Sequence, residues 1–431
     1  MKRKPRKGIT ALTVQGYKSF SKEQRLEIQP LTILAGANSS GKSSVIQPLL
    51  LLKQTLEASY DPGLLLLDGP NVKFTSTNQL LTKIGQKRAK EFRVGIELDG
   101  TSFMKLIFKR ENGKGLKGLE VEYSDEESKF RLSENLSHEE LTNILPKKMG
   151  RFLKVVSRNE RELKWTVKRD RFFLSASVKN QKDGLRLTPL PLLDQRFSSE
   201  IRRVIHLPGL RGNPERTYPT TNVGDSFPGL FQTYVASIIS RWESEKNKKL
   251  NEVGNMMEAL GLTWKVAPKA INETQVELRV GRLPSSQRGG ARDLVSIADV
   301  GIGISQTLPV VVSLLVAKRG QILLIEQPEI HLHPKAQYKL AELLVKTAKR
   351  GVKVIVETHS ALLLRSIQTL VAEKKINSDD VILHWFTRRE DGSTEIKSSE
   401  LDAKGCFGDW PEDFGSVELK AERRFLEASL D

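Results

Sequence analysis

Hydrophobic positions along this chain follow two rhythms, and the change between them marks its segments. Residues 31–36, "LTILAG", form a short unbroken apolar run that leads into the Gly/Ser stretch "ANSSGKSS". A run of this kind, closed by a glycine turn and followed by a helix start, predicts a strand buried on both faces. Between 91 and 180 the period drops to two. In "EFRVGIELDGT" Phe92, Val94, Ile96 and Leu98 alternate with charged or small residues ahead of an Asp-Gly turn, and "ELKWTVKR" repeats the pattern with Leu163, Trp165 and Val167. That alternation predicts antiparallel sheet with one charged face. Residues 201–224 are loop-like and rich in Pro, Gly and Arg, 226–260 reads as helix, and "QVELRV" returns to a strand. Two more buried runs, "ILLI" at 322–325 and "VIV" at 354–356, each lead into a loop and a helix. Unbroken strands alternating with helices imply a mostly parallel sheet covered on both faces, hence an α/β fold. The pattern suggests three contiguous segments: 1–200 with the first buried strand and the antiparallel β subdomain, 201–285 as a loop and helical insertion, and 286–431 with the second α/β section. No fixed-period repeat or long heptad run interrupts it.

Composition narrows the class. The formal net charge is +17, from 69 Lys and Arg against 52 Asp and Glu, an imbalance that favours a polyanion such as DNA as partner, with a solvated basic surface as the alternative. A single cysteine, Cys406, rules out an intramolecular disulfide framework and fits a reducing, cytoplasmic compartment. The basic start "MKRKPRK" is followed by mixed polar residues rather than an apolar signal core, and no apolar stretch approaches the roughly 18 residues of a membrane span. Export and membrane insertion are not expected.

Four stretches carry candidate chemistry. Gly36-Ala-Asn38-Ser39-Ser40-Gly41-Lys42-Ser43 matches G-x-x-x-x-G-K-[ST] between a strand and a helix, the setting that makes this motif a P-loop. Its backbone N–H groups, continued by Ser44, would wrap nucleotide phosphates, Lys42 would reach the β and γ phosphates, and Ser43 would hold Mg²⁺ at the helix start. Pro48, inside that helix, predicts a kink or a restricted second turn. In "QILLIEQPEIHLHP" the strand ends in Glu326-Gln327, with Glu326 placed for Mg²⁺ or its water. Gln327 stands where a general base is expected, but an amide cannot accept a proton there. It can still orient water, because phosphoryl transfer depends more on positioning and charge than on base strength. Glu329, if the Pro328 turn swings it inward, is a second candidate base. His331 and His333 lack further metal ligands nearby and read as a packed or dimer-facing loop rather than a zinc site. In "ADVGIGISQTLPVVVSLL", Gly301 and Gly303 predict an exposed helix start at Ser305 and Gln306, a phosphate site or an ordinary capped helix. In "VIVETHSALLL", His359 follows a buried strand and precedes a helix capped by Ser360, so it can meet a γ-phosphate or serve structure alone.

In this order the four stretches resemble the ABC-type P-loop ATPase heads of the SMC, RecF and OLD (overcoming lysogenization defect) group. The wording "TILAGANSSGKSS", "DVGIGISQ", "IEQPEIHLHPKAQ", "VETHS" and "GDWPEDF" is similar to prokaryotic AAA-like ATPases of the OLD-related type, several of which serve anti-phage defence beside a nuclease. Likeness covers roughly 1–80 and 290–415, and the middle matches loosely at "PGLRGNPERTY". The resemblance implies ATP and Mg²⁺ as ligands and a head-to-tail homodimer closed around ATP. Gly301, Gly303 and Ser305 would contact the nucleotide across the interface, His359 would sense the γ-phosphate, and Glu326 and Gln327 would fill the magnesium and catalytic positions. The signature departs from the transporter form by placing its serine after the glycines. The amide at 327 implies slow turnover.

OLD nucleases carry a metal-binding Toprim domain after the head. The residues that follow His359 show no comparable acidic set beyond "NSDD" and "EDG", so a nuclease or effector on a separate chain is expected. The tail with Trp410 and Phe414 is a candidate docking surface or packs locally onto the head. Candidate DNA contacts are Arg282, Arg288 and Arg292 before the signature, and Arg211 and Arg216 in the Pro/Gly segment; each could equally be solvated or bind a phosphate of the nucleotide. Two other functions fit the same motifs: a RecF-like repair ATPase, and a non-hydrolysing ATP-dependent scaffold.

Overall fold

The computed structural model describes residues 7–111, 115–146, 163–180, 186–187, 191–285, 293–408 and 423–429. By Cα proximity the chain divides into two compact units rather than three contiguous segments. One is built from Met1–Glu27, Ser43–Val204 and Arg388–Glu395, the other from Ile28–Lys42, Ile205–Thr387 and Ile396–Asp431. The division is discontinuous because a parallel sheet must collect strands that are far apart in sequence.

The first unit contains a six-stranded antiparallel sheet in the order Gln24–Glu27, Ile9–Gln15, Glu91–Leu98, Ser102–Glu111, Gly115–Ser124, Lys129–Ser133. The alternating residues Phe92, Val94, Ile96 and Leu98 are all buried, as period two requires. Phe92 stacks on Phe108 with ring centroids 4.8 Å apart and tilts against Tyr17 at 5.6 Å. The Asp-Gly turn forms as expected: Asp99 and Gly100 take φ of +56° and +76°, the left-handed pair that matches the twist of a tight hairpin. The second repeat of the pattern forms the strand Leu163–Asp170, paired with Phe173–Asn180. Trp165 is buried there, whereas Val167 is only half-buried. The helix Lys42–Glu57 carries Pro48 within one continuous helical span. Proline deprives only the Ser44 carbonyl of its usual donor, and the buried row Leu49–Leu52 holds the following turn in place.

The second unit is built on a six-stranded sheet in the order Ile205–Leu207, Ile322–Glu326, Lys353–Glu357, Leu31–Gly36, Val381–Arg388, Thr394–Glu400. The pairings from the first of these strands through Val381–Arg388 are parallel. The last two strands are joined by the short loop 389–393, too short for the crossover a parallel pair needs. The fold class is thus α/β with a mostly parallel core sheet and a separate antiparallel sheet. Its core gathers Ile33, Ala35, Leu323, Ile325, Val354 and Val356 with the helices Ile302–Val316, Pro334–Lys349 and Ala361–Ala372. The expected helical stretch after 226 resolves into Val235–Ser244 and Lys248–Ala259, broken where Lys246 takes φ +49°.

Candidate functional site

Strand order decides which chemistry meets. Lys353–Glu357 lies between the strand that feeds the P-loop and the strand that ends in Glu326. In register, Glu326 faces Glu357, and Glu357 faces Leu34. Neighbouring strands lie about 4.8 Å apart, so the P-loop, Glu357 and the Glu326 turn follow one another along the carboxyl edge of the sheet. That edge is where open α/β sheets bind ligands.

The P-loop strand Leu31–Gly36 empties into the loop 37–41, and the helix starts at Lys42. Gly36 takes φ +144°, and a Cβ there would stand 2.4 Å from the Phe386 carbonyl oxygen, so no other residue fits without moving the sheet. Ser39 and Gly41 follow at φ +59° and +105°. Left-handed residues interleaved with others turn successive N–H groups into a concave nest that suits an anion. Asn38 and Ser39 are exposed and Ser40 is buried, while Ser43 and Ser44 lie half-buried in the first helical turn. Lys42 is buried and donates from Nζ to the carbonyls of Gly36 (3.0 Å) and Ala37 (2.8 Å). Burial pulls its pKa down, and the charge of Glu357 pushes the other way.

Glu326 ends its strand with both carboxylate oxygens engaged. Oε1 lies 3.1 Å from Nε2 of the buried His206, and Oε2 accepts from the Gly209 N–H at 3.2 Å. Burial alone would raise its pKa, but the His206 and Gly209 contacts and the Arg211 charge outweigh this and hold it below the usual value. Gln327 takes φ +45°, a left-handed conformation uncommon outside glycine, and its N–H donates to the Glu357 carbonyl at 2.7 Å. Its Oε1 is 3.4 Å from where a Cβ on Gly209 would sit.

The Pro328 turn does carry Glu329 inward. Glu329 is buried, and its Oε1 accepts from Thr358 Oγ1 at 2.7 Å and from the His359 N–H at 3.0 Å, while Oε2 is buried without a hydrogen-bond partner. Its carboxylate thereby braces the loop that carries His359. Burial lowers the His359 pKa, and the nearby Lys42 charge lowers it further, so the ring is held neutral. Ser360 caps the next helix by accepting from Leu363 N at 2.9 Å.

The signature helix starts earlier than the sequence suggested, at Ile302 with Gly301 as its cap, because Ile304 N already donates to the Gly301 carbonyl at 3.1 Å. Gly301 is exposed and Ser305 half-buried. Gln306, expected at an exposed helix start, is instead buried. At Gly303 a Cβ would meet the His331 carbonyl oxygen at 3.1 Å, so this glycine lets the helix approach the turn after Glu329. His331 and His333 are exposed, and His333 Nδ1 accepts from Lys335 N at 3.3 Å as a helix cap. Among the described residues, no group of three or more His, Cys, Asp or Glu is arranged to hold a metal.

Arg211 corrects a sequence expectation. It was a candidate DNA contact, but it is buried and hydrogen-bonded within the site: Nη2 donates to the carbonyls of Glu326 (2.7 Å) and Gln327 (3.4 Å), Nη1 donates to the Gln306 carbonyl (3.4 Å), and its N–H donates to Gln306 Oε1 (3.3 Å). Desolvation drives its pKa down to about 10, against the pull of Glu329 and Glu326. Of the other candidates, Arg216 is exposed and paired with Asp299 at 2.8 Å, and Arg282 is exposed; Arg288, Arg292, Trp410 and Phe414 lie outside the described residues. Sequence reasoning also passed over His206 and Glu357. Glu357 was findable, since it ends a buried run just as Glu326 does. His206 carried no signal beyond a histidine in a short apolar run.

A protein-family profile described as "AAA domain, putative AbiEii toxin, Type IV TA system" matches residues 31–365. No curated protein matches the chain. Among solved structures, the SMC head bound to the C-terminal winged-helix domain of ScpA is 14% identical and aligns at a TM-score of 0.48, over 92% of this chain and 98% of that one. The SMC head domain from Thermotoga maritima is 13% identical with a TM-score of 0.39, over 91% and 100% of the two chains. The Pyrococcus furiosus Smc head, with an extended coiled coil and bound to the C-terminal domain of ScpA, is 13% identical with a TM-score of 0.44, over 98% and 100%.

Proposed function

Because the chain belongs to the family described as an AAA domain, putative AbiEii toxin of type IV toxin–antitoxin systems, we propose that it is an ATP-binding, slowly hydrolysing ABC-type ATPase. In this reading it dimerises around ATP and controls a partner nuclease or effector in anti-phage defence, with DNA as the sensed ligand. The observation that carries the reading is the shared sheet edge: the P-loop, Glu326 and the His359 loop follow the carboxyl ends of three neighbouring parallel strands, of which Lys353–Glu357 is the central one.

The residues fit a polyphosphate. The nest supplies N–H donors, and Lys42 can exchange its two carbonyl partners in the loop for phosphate oxygens. Ser43 and Glu326 are the proposed protein ligands of Mg²⁺, which when bound neutralises charge on the phosphates. Gln327 orients the attacking water without accepting its proton, so hydrolysis is slow. His359, held neutral, keeps a ring N–H available to donate to the γ-phosphate. Glu329 braces that loop. Across the dimer, Gly301, Gly303 and Ser305 of one copy meet the nucleotide held by the other.

Single-turnover hydrolysis tests this, comparing wild type with Lys42→Ala and Gln327→Glu, each with and without duplex DNA. Slow turnover in wild type, loss in Lys42→Ala and faster turnover in Gln327→Glu support the reading. Wild type that binds ATP but cleaves no more of it than Lys42→Ala refutes hydrolysis and leaves a scaffold. A chain that stays monomeric at saturating ATP refutes the sandwich. Phage plating on a strain carrying the gene with its genomic neighbours tests defence: equal plating with wild type and Lys42→Ala refutes it.

A further inference from the structure

The 206–212 segment is hydrogen-bonded at its two ends to different motifs of this site. His206 and the Gly209 N–H hold the Glu326 carboxylate. Two residues on, Arg211 holds the Glu326 and Gln327 carbonyls with one guanidinium nitrogen and the Gln306 carbonyl with another. Gln306 closes the circuit, since its Oε1 accepts from the Arg211 N–H and its Nε2 donates to the Gly212 carbonyl at 2.6 Å. Beyond the turn, Glu329 carries the connection to Thr358 and the His359 N–H. Gly303 lets the signature helix lie against the His331 carbonyl at the far end of the same turn.

A buried arginine is costly to desolvate. A planar guanidinium offsets that cost where several acceptors meet its fork; here three backbone carbonyls meet the two Nη groups, while Nε is buried without a hydrogen-bond partner. A lysine would present a point charge and could not span the Gln306 carbonyl and the carbonyls of the Glu326–Gln327 turn together.

We propose that Arg211 is a positioning residue that fixes the left-handed backbone of Gln327 and couples the signature helix, through Gln306, to the turn that carries Gln327 and Glu329. The inference rests on the ATPase reading for its kinetic consequence but not for its structural one. If a second copy's nucleotide presses on the start of the signature helix, the displacement reaches Gln327 through Gln306 and Arg211 without passing through the P-loop.

The test has two readouts on the full chain, for Arg211→Lys and the milder Gln306→Ala. The first is backbone hydrogen exchange without nucleotide. Coupling predicts that Gln306→Ala raises exchange across 326–331 and 358–360, segments to which the Gln306 side chain is not hydrogen-bonded, its partners being Arg211 and Gly212. An increase confined to 206–213 and the signature helix overturns the proposal. The second is single-turnover hydrolysis set against ATP affinity. Each variant should lose on the order of tenfold in rate while ATP affinity stays within about twofold, since Lys42 and the nest are untouched. The double variant should lose no more than Arg211→Lys alone, because residues in one network are non-additive. Additive losses, equal losses of rate and affinity, or a full rate in Arg211→Lys overturn it. A wild type that does not hydrolyse removes the ATPase reading while the exchange readout still decides the coupling.

Discussion

Glu329→Gln separates a brace from a base. In the structure the carboxylate accepts two hydrogen bonds through one oxygen, from Thr358 Oγ1 at 2.7 Å and His359 N at 3.0 Å, and it lies close enough to Arg211 to be the strongest charge acting on it. Hydrogen bonds to a charged group contribute about 1.5–3 kcal/mol each, against about 0.5–1.5 kcal/mol for neutral ones. The amide keeps an acceptor but loses the charge, so the change costs about 1 kcal/mol per bond, or about 2 kcal/mol together. Glu329→Ala also removes the acceptor of both bonds and empties the space, so it should cost more than Glu329→Gln. For a folding unit of this size a kilocalorie shifts the melting midpoint by roughly 2–4 °C, so Glu329→Gln should melt about 4–8 °C lower. Differential scanning fluorimetry beside single-turnover hydrolysis reads both quantities. As a brace, Glu329→Gln loses stability and retains at least a tenth of wild-type turnover. An unchanged midpoint with hydrolysis abolished and ATP still bound would refute this account and make Glu329 the base that Gln327 cannot be.

Three further outcomes follow from the same geometry. Gly36→Ala must place a Cβ 2.4 Å from the Phe386 carbonyl at φ +144°, so it should cost at least about 1–3 kcal/mol and abolish nucleotide binding; a fluorescent ATP analogue bound with wild-type affinity contradicts the close approach. His359 has a folded pKa below its ordinary 6.5. Between the two values the unfolded chain therefore binds more protons, and stability falls as pH drops through that window; denaturation midpoints at pH 5.5 and 7.5 should differ by less in His359→Gln than in wild type, and an equal difference assigns the slope elsewhere. Duplex DNA binding should weaken steeply with salt if the +17 charge is the contact. Arg216→Ala and Arg282→Ala should then reduce the salt slope, and a flat salt response removes both residues.

The local grammar of this chain was legible in one dimension. The P-loop, the Asp99-Gly100 hairpin, the buried runs that became Ile322–Glu326 and Lys353–Glu357, and the Ser360 cap depend on residues within a few positions of one another, where periodicity, glycine and capping act directly. The fold class followed from the same signals, because unbroken apolar strands between helices have few other ways to be covered. Strand order was not legible. It brings Lys353–Glu357 between the other two motif strands and so sets Glu357 beside Lys42's loop, a placement that depends on pairings between residues more than 300 positions apart. Arg211 shows the limit most clearly. An arginine in a Pro/Gly loop of a basic chain looks like a surface contact, since charge is normally left in water. Only the assembled second unit gathers the carbonyls of Glu326, Gln327 and Gln306 around that guanidinium, and these acceptors offset part of the cost of burying it.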